Sequence, residues 1–337
     1  MPVFSLSGRR NKALLPYQEA DYTIAESDRR IEQQYDIRTL ELRPDYSGKA
    51  IATLLRHDAA KPSSRSVLYI HGYGDYFFHD HVRRWYNELG YNFYALDLRK
   101  HGRSLLPHQR ACYAKDLREY FEEISATIRI ITQTDGNEQL IIQGHSTGAL
   151  TTALYADRGD EKARIDGLVL NSPFFAVKAS GTEKKLLNLF ATWSQWQPSV
   201  KIPVEFEGFY GKSLHRNCQG EWDYTLAWKP IKGHPLHGAW IRAINRGHQL
   251  LYRGLNLKTP VLILRSDKSV TVSEMSDSVF ESDIVLDVAD MENYSSYLGT
   301  KVQLATIEDA LHDVFLSKAS VRGHAFQALD KWLGEIN

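Results

Sequence analysis

Gly144-His145-Ser146-Thr147-Gly148 follows the apolar run Leu140-Ile141-Ile142 and runs on into small and apolar residues from Ala149. A serine between two glycines at this spacing, entered from a strand and left by a helix, reads as a nucleophile elbow, whose sharp turn lifts the hydroxyl clear of the sheet. Gly144 and Gly148 keep side chains out of that crowded corner. A serine hydroxyl is a weak nucleophile at neutral pH. It needs an adjacent base, nearly always His, oriented by a carboxylate.

In elbow enzymes the partners follow in the order Ser, acid, His, so the base is sought near the C-terminus. His312 and His324 lie there. His324 falls inside the last helical pattern and reads as a solvated helix residue. His312 follows the apolar segment 302–307 in a loop position and is the expected base. Two carboxylates compete for the acid. Asp267 comes directly after the apolar run 261–266, whereas Asp283 precedes a helical pattern at 289–298 that leads to the last strand. Asp283 is preferred and Asp267 is the alternative; Asp287 and Asp290 are expected to cap or solvate the helix start.

An oxyanion needs two backbone N–H donors. Thr147, the residue after the nucleophile, is one candidate. Tyr73 is the other, in the turn His71-Gly72-Tyr73-Gly74-Asp75 that closes an early apolar run. His79 and His81 are metal-binding residue types, but no further ligand set follows them at useful spacing. No metal and no cofactor are expected, and His145 is read as bulk that shapes the elbow.

The elements that must hold these groups alternate. Strand patterns at 37–43 and 50–56 flank the turn-rich 44–48 and read as an antiparallel pair. Further strands are expected at 66–70, 91–98, 140–143, 167–171, 261–264 and 302–307. Helical patterns fall at 81–89, 117–131 and 321–333. Such alternation gives a mostly parallel sheet covered by helices on both faces, with its chemistry in loops at the carboxyl ends of strands. Between 173 and 260 the alternation stops. This stretch is rich in aromatics, among them Trp193, Trp196, Phe206, Phe209, Tyr210 and Trp240, with helical segments at 183–193 and 237–252. It reads as a cap inserted between two core segments, 1–172 and 261–337, that closes over an apolar acyl pocket and excludes water.

Composition narrows the partners. The 337 residues carry 41 basic and 41 acidic side chains, a formal net charge of zero, which offers no field for a polyanion and argues against nucleic acid. Cys112 and Cys218 are the only cysteines, so a disulfide framework is not indicated and a reducing cytoplasm is expected. Arg9, Arg10 and Lys12 near the N-terminus are not followed by an apolar core of signal-peptide length. No uncharged apolar run approaches membrane-spanning length, so no stable membrane insertion is expected.

Three segments together carry a resemblance. Val67-Leu68-Tyr69-Ile70-His71-Gly72-Tyr73-Gly74, Ala95-Leu96-Asp97-Leu98-Arg99-Lys100-His101-Gly102-Arg103-Ser104 and the elbow occur in an order that resembles the α/β-hydrolase superfamily. The branch they resemble is the monoacylglycerol lipase and lysophospholipase-like group, also called serine aminopeptidase-like. The resemblance runs from about residue 37 to residue 333. It implies an α/β-hydrolase fold, with Ser146 as nucleophile, His312 as base and Tyr73 and Thr147 as oxyanion donors. The segment 283–288 resembles the acid loop. Leu264-Arg265-Ser266-Asp267 departs from the pattern, lacking the usual Gly before the acid. The implied activity is hydrolysis of carboxylic esters through an acyl-enzyme, on a small ester with an apolar acyl group such as an acylglycerol or lysophospholipid. Amide hydrolysis, acyl transfer and a non-catalytic binding role remain open at this point, as does oligomeric state.

Overall fold

Helices cover both faces of one eight-stranded sheet in the computed structural model, which describes residues 23–178, 181–203 and 207–336. The basic N-terminal segment and Phe206 lie outside the described residues. The strands run in the order β1-β2-β4-β3-β5-β6-β7-β8, with β1 Asp36–Asp45, β2 Gly48–His57, β3 Arg65–Ile70, β4 Asn92–Asp97, β5 Gln139–His145, β6 Gly167–Asn171, β7 Val261–Ser266 and β8 Val302–Ile307. β1 pairs antiparallel with β2, and β2 with β4; every other pairing is parallel.

The central strands are near-continuous apolar runs because both of their faces are covered. Alternate residues of each strand feed two separate cores. Leu68, Ile70, Ile142 and Leu170 join one. Val67, Tyr69, Ile141 and Val169 join the other. On the first face lie the helices α3 (Phe121–Arg129) and α4 (Thr147–Arg158). On the second lie α1 (Glu26–Gln34), α2 (Asp80–Glu88) and α9 (Ala319–Ile336).

Three elements differ from the sequence expectation. α1 carries a mean hydropathy well on the polar side and buries only Asp28 and Ile31, so its pattern is faint. The helical stretch expected at 117–131 is broken into a 3-10 turn (Leu117–Tyr120), α3 and a π turn (Ile130–Thr134). The helix expected at 289–298 is the six-residue α8 (Val288–Asn293) followed by a 3-10 turn (Ser295–Tyr297). There Asp287 caps α8 by accepting the Ala289 N–H at 3.0 Å.

Between β6 and β7 the chain forms α5 (Gly181–Trp193), α6 (Phe209–Leu214) and α7 (Gly238–Leu251) with long connections. α7 is not held away from the body: Trp240, Ile241 and Ile244 belong to the same core as α4.

Strand register sets the site. Ile70 at the end of β3 pairs with Gly144, and His145 pairs with Asn171 at the end of β6. The turns after β3, β5 and β6 therefore emerge side by side.

Candidate active site

Ser146 sits at φ 54°, ψ −116°, between the end of β5 and the first turn of α4. That left-handed backbone is costly for a residue with a Cβ, and it persists here because the surroundings over-determine it. The Ser146 N–H donates to Asn171 O at 2.9 Å, and Ser146 O accepts the N–H groups of Leu150 and Phe174 at 3.2 and 3.1 Å. A Cβ on Gly148 would stand 2.2 Å from His71 O, and one on Gly144 would stand 2.7 Å from Ala149 Cα. Both glycines are therefore required by close backbone approach.

His312 lies in the loop between β8 and a 3-10 turn (Val314–Leu316). Its Nε2 is 3.0 Å from Ser146 Oγ, and its Nδ1 is 2.8 Å from Asp283 Oδ2. Asp283 Oδ1 accepts the N–H groups of Val285 and Leu286 at 2.8 and 2.7 Å. The carboxylate is fully buried. Burial alone would raise it, but the His312 imidazole and these hydrogen bonds outweigh that and hold it below the usual carboxylate value. Burial pushes His312 down from its ordinary 6.5 against the opposing pull of Asp283.

Asp267 is the nearer residue to the end of β7, yet it is not brought to His312. Its Oδ1 accepts the Asp309 N–H at 2.9 Å. The chain after Asp267 instead loops out and returns: Asp283 N donates to Lys268 O at 3.0 Å, and Val270 N to Asp283 O at 3.2 Å. This long excursion delivers Asp283 to the strand end.

Thr147 is the first residue of α4, so its N–H has no intrahelical acceptor. Tyr73 lies in the turn after β3, and both residues line one pocket with Ser146 and His312. The turn is set by His71, which sequence reasoning did not assign a part. His71 Nε2 accepts the Leu98 N–H at 3.0 Å, so Nδ1 carries the hydrogen and donates to Gly72 O at 2.8 Å. With the Gly72 carbonyl turned to His71, the trans Gly72–Tyr73 peptide points its N–H the opposite way. The Tyr73 ring packs on Trp240, centroids 4.2 Å apart, and its hydroxyl donates to Pro235 O.

An open pocket above Ser146 has a volume of about 140 Å³. Its apolar wall comes from Phe174, Phe209, Tyr210, Ile231, Val285 and Leu286, all but the last two from the segment between β6 and β7. Asp75 and Lys229, a buried pair at 2.7 Å, also border it. Sequence reasoning gave neither a part; the only hint was a carboxylate two residues beyond Tyr73.

His79 and His81 do not face a common point. His79 Nε2 is 3.0 Å from Asp313 Oδ2, and His81 Nε2 is 2.8 Å from Phe315 O. Among the described residues no group of three or more His, Cys, Asp or Glu is placed to hold a metal ion. Among them, too, no helix is long and apolar enough to cross a membrane. His324 lies in α9, away from the pocket residues.

This strand order, with a serine elbow between β5 and α4, defines an α/β-hydrolase fold. The family described as serine aminopeptidase, S33, matches residues 61–318, and the chain belongs to that hydrolase family. No curated protein matches the sequence. Among solved structures, the chain is similar to a soluble variant of the monoglyceride lipase of Saccharomyces cerevisiae (TM-score 0.67, 18% identity, covering 96% of this chain and 100% of that one). It is similar also to the monoacylglycerol lipase of Paleococcus ferrophilus (TM-score 0.61, 20% identity, 84% of this chain and 99% of that one). A third is Est1E of Butyrivibrio proteoclasticus with bound ferulic acid (TM-score 0.55, 16% identity, 88% and 98%). At these identities the likeness is one of fold.

Proposed function

We propose that the protein is a carboxylic ester hydrolase acting through an acyl-enzyme on Ser146. The observation that carries this reading is the chain of contacts Ser146 Oγ–His312 Nε2–Asp283 at 3.0 and 2.8 Å beside an apolar pocket. His312 takes the Ser146 proton as the oxygen attacks the ester carbonyl. The N–H groups of Thr147 and Tyr73 receive the developing oxyanion. His312 then gives the proton to the departing alcohol, and water releases the acid by the same steps in reverse order of partners. Asp283 keeps the Nδ1 hydrogen in place and stabilises the imidazolium.

Residues 173–260 act as the cap in this reading, since they supply most of the apolar wall. Acylglycerols, with lysophospholipids second, are the substrate class: an apolar chain fits the wall and a polar alcohol leaves toward solvent. The size of the pocket refines this. A cavity of about 150 Å³ holds a benzene-sized group, so the 140 Å³ here fits a short acyl chain, and a long one extends beyond it. Both cysteines are free, Cys112 buried and Cys218 exposed, which suits a reducing cytoplasm.

A substrate panel tests the reading. Butanoyl and hexanoyl glycerol esters are expected to give kcat/KM at least about tenfold above hexadecanoyl glycerol, and aminoacyl anilides to give none. Turnover of the anilides with inert esters would replace the esterase by an amidase.

The pH profile gives a second expectation. His312 must be neutral to accept a proton, and burial holds its pKa below 6.5. The acid limb of kcat/KM should therefore fall below pH 6.5, with activity lost as pH drops through it and level above. An acid limb above pH 6.5 on p-nitrophenyl butyrate would contradict His312 in this environment.

A further inference from the structure

On the wall of the pocket, around His145, Asp75 and Lys229, lies a polar cluster that the steps above do not use. His145, one residue before the nucleophile, is 4% exposed. Neither of its ring nitrogens has a hydrogen-bond partner among the described residues. Its Nδ1 stands 3.6 Å from Asp75 Oδ2 and 3.8 Å from Asp313 Oδ2. Asp75 Oδ2 is itself buried without a hydrogen bond.

The other oxygens are engaged. Asp75 Oδ1 pairs with Lys229 Nζ at 2.7 Å and accepts the Tyr76 N–H at 3.0 Å. Asp313 Oδ1 accepts Asn171 Nδ2 at 2.7 Å and the Phe315 N–H at 3.0 Å. Asp313 Oδ2 already meets His79 Nε2 at 3.0 Å.

Both carboxyls are held toward their ionised form. Burial pushes them up, but Lys229 and His145 for Asp75, and His145 and His79 for Asp313, bring them below the usual range. A bare lone pair on His145 Nδ1 would face two anions in a desolvated place and be repelled by both. A hydrogen on Nδ1 turns both contacts attractive.

These groups belong to three separate turns. His145 is on the elbow, Asp75 is two residues past Tyr73, and Asp313 follows His312 directly. We propose that His145 is a positioning residue whose Nδ1–H, shared between Asp75 and Asp313, ties the oxyanion turn and the base turn to the nucleophile elbow. The proposal rests on the acyl-enzyme reading above. Both gaps are wider than a formed hydrogen bond. Nδ1 has an acceptor from each turn at 3.6 and 3.8 Å, so a shift of about 0.5 Å closes it onto either. Held this way, the Tyr73 N–H and His312 Nε2 keep their aim as charge builds at the carbonyl, where a misplacement of about 1 Å is worth about a hundredfold in rate.

Two variants of similar bulk separate a donor from a filler. His145→Asn places an amide N–H near the position of Nδ1; His145→Leu has no donor. On p-nitrophenyl butyrate, His145→Leu is expected to lose about tenfold or more in kcat with KM within about twofold, and His145→Asn to keep at least about a third of wild-type kcat. Wild-type kcat in His145→Leu, or a His145→Asn enzyme as slow as His145→Leu, overturns the tether. Should neither variant fold, long-range proton–nitrogen spectra of the wild-type protein decide: a hydrogen on His145 Nδ1 supports it, and a bare Nδ1 overturns it. A wild-type protein inert toward the ester overturns the esterase reading, and the tether with it, before any variant is compared.

Discussion

Ser146→Ala is expected to lower kcat on short-chain esters by roughly 10⁴-fold or more while leaving the fold intact. The side chain contributes one hydroxyl, bonded among the described residues to His312 Nε2, and in the proposed mechanism its loss removes the atom that carries the acyl group. The elbow itself is held by backbone contacts to Asn171, Leu150 and Phe174, which alanine keeps. The positive φ at position 146 suits alanine no worse than serine. Circular dichroism and the thermal midpoint should therefore match wild type while burst and steady-state release of p-nitrophenol both vanish. Near-normal turnover would mean that another nucleophile, or a directly activated water, does the chemistry.

The second large effect separates two carboxylates. Asp283→Asn is expected to cost roughly 10³- to 10⁴-fold in kcat, because the amide can present an N–H to His312 and hold the ring in the wrong tautomer. Its replacement also removes the charge that stabilises the imidazolium. Asp267→Asn should stay within about threefold of wild type. Asp267 is partly exposed and accepts the Asp309 N–H, a bond that an amide oxygen can still make. Steady-state kinetics of the pair on one ester reads the contrast. A larger loss at Asp267 than at Asp283 would relocate the acid.

That contrast shows where the sequence was informative. The elbow is local: three glycine-flanked residues after an apolar strand specify their own backbone, and chain order then points to His312. The alternation of strands and helices is also local, because central parallel strands are apolar throughout and helices keep a 3.6-residue period. The acid was ambiguous because the deciding step is a tertiary one. The chain leaves the sheet at Asp267 and comes back to Lys268 and Val270 through the backbone of Asp283, and no short-range pattern encodes that return. α1 went unread because a polar helix docking through Asp28 and Ile31 has almost no apolar face. Its polar ties are long-range: Asp28 meets Arg103 at 3.0 Å across 75 residues and accepts the Thr225 hydroxyl at 2.7 Å across 197.

The cluster around His145 was illegible for the same reason. Asp75 and His79 in the connection after β3, and Asp313 in the loop after β8, are ordinary polar residues until the sheet sets those two segments beside the elbow. His145 could be read only as bulk. Pocket size, too, follows from how residues 207–235 fold back over Ser146, which fixes the wall built by Phe209, Tyr210 and Ile231.

The central claim is that Ser146 becomes acylated. It is tested most directly by treating the wild-type protein with a fluorophosphonate, digesting it and locating the adduct by mass spectrometry. The expected result is one phosphonyl group per chain on Ser146, formed in step with loss of esterase activity and absent from Ser146→Ala. Loss of activity with Ser146 unmodified, or hydrolysis that persists once Ser146 is fully modified, would contradict it.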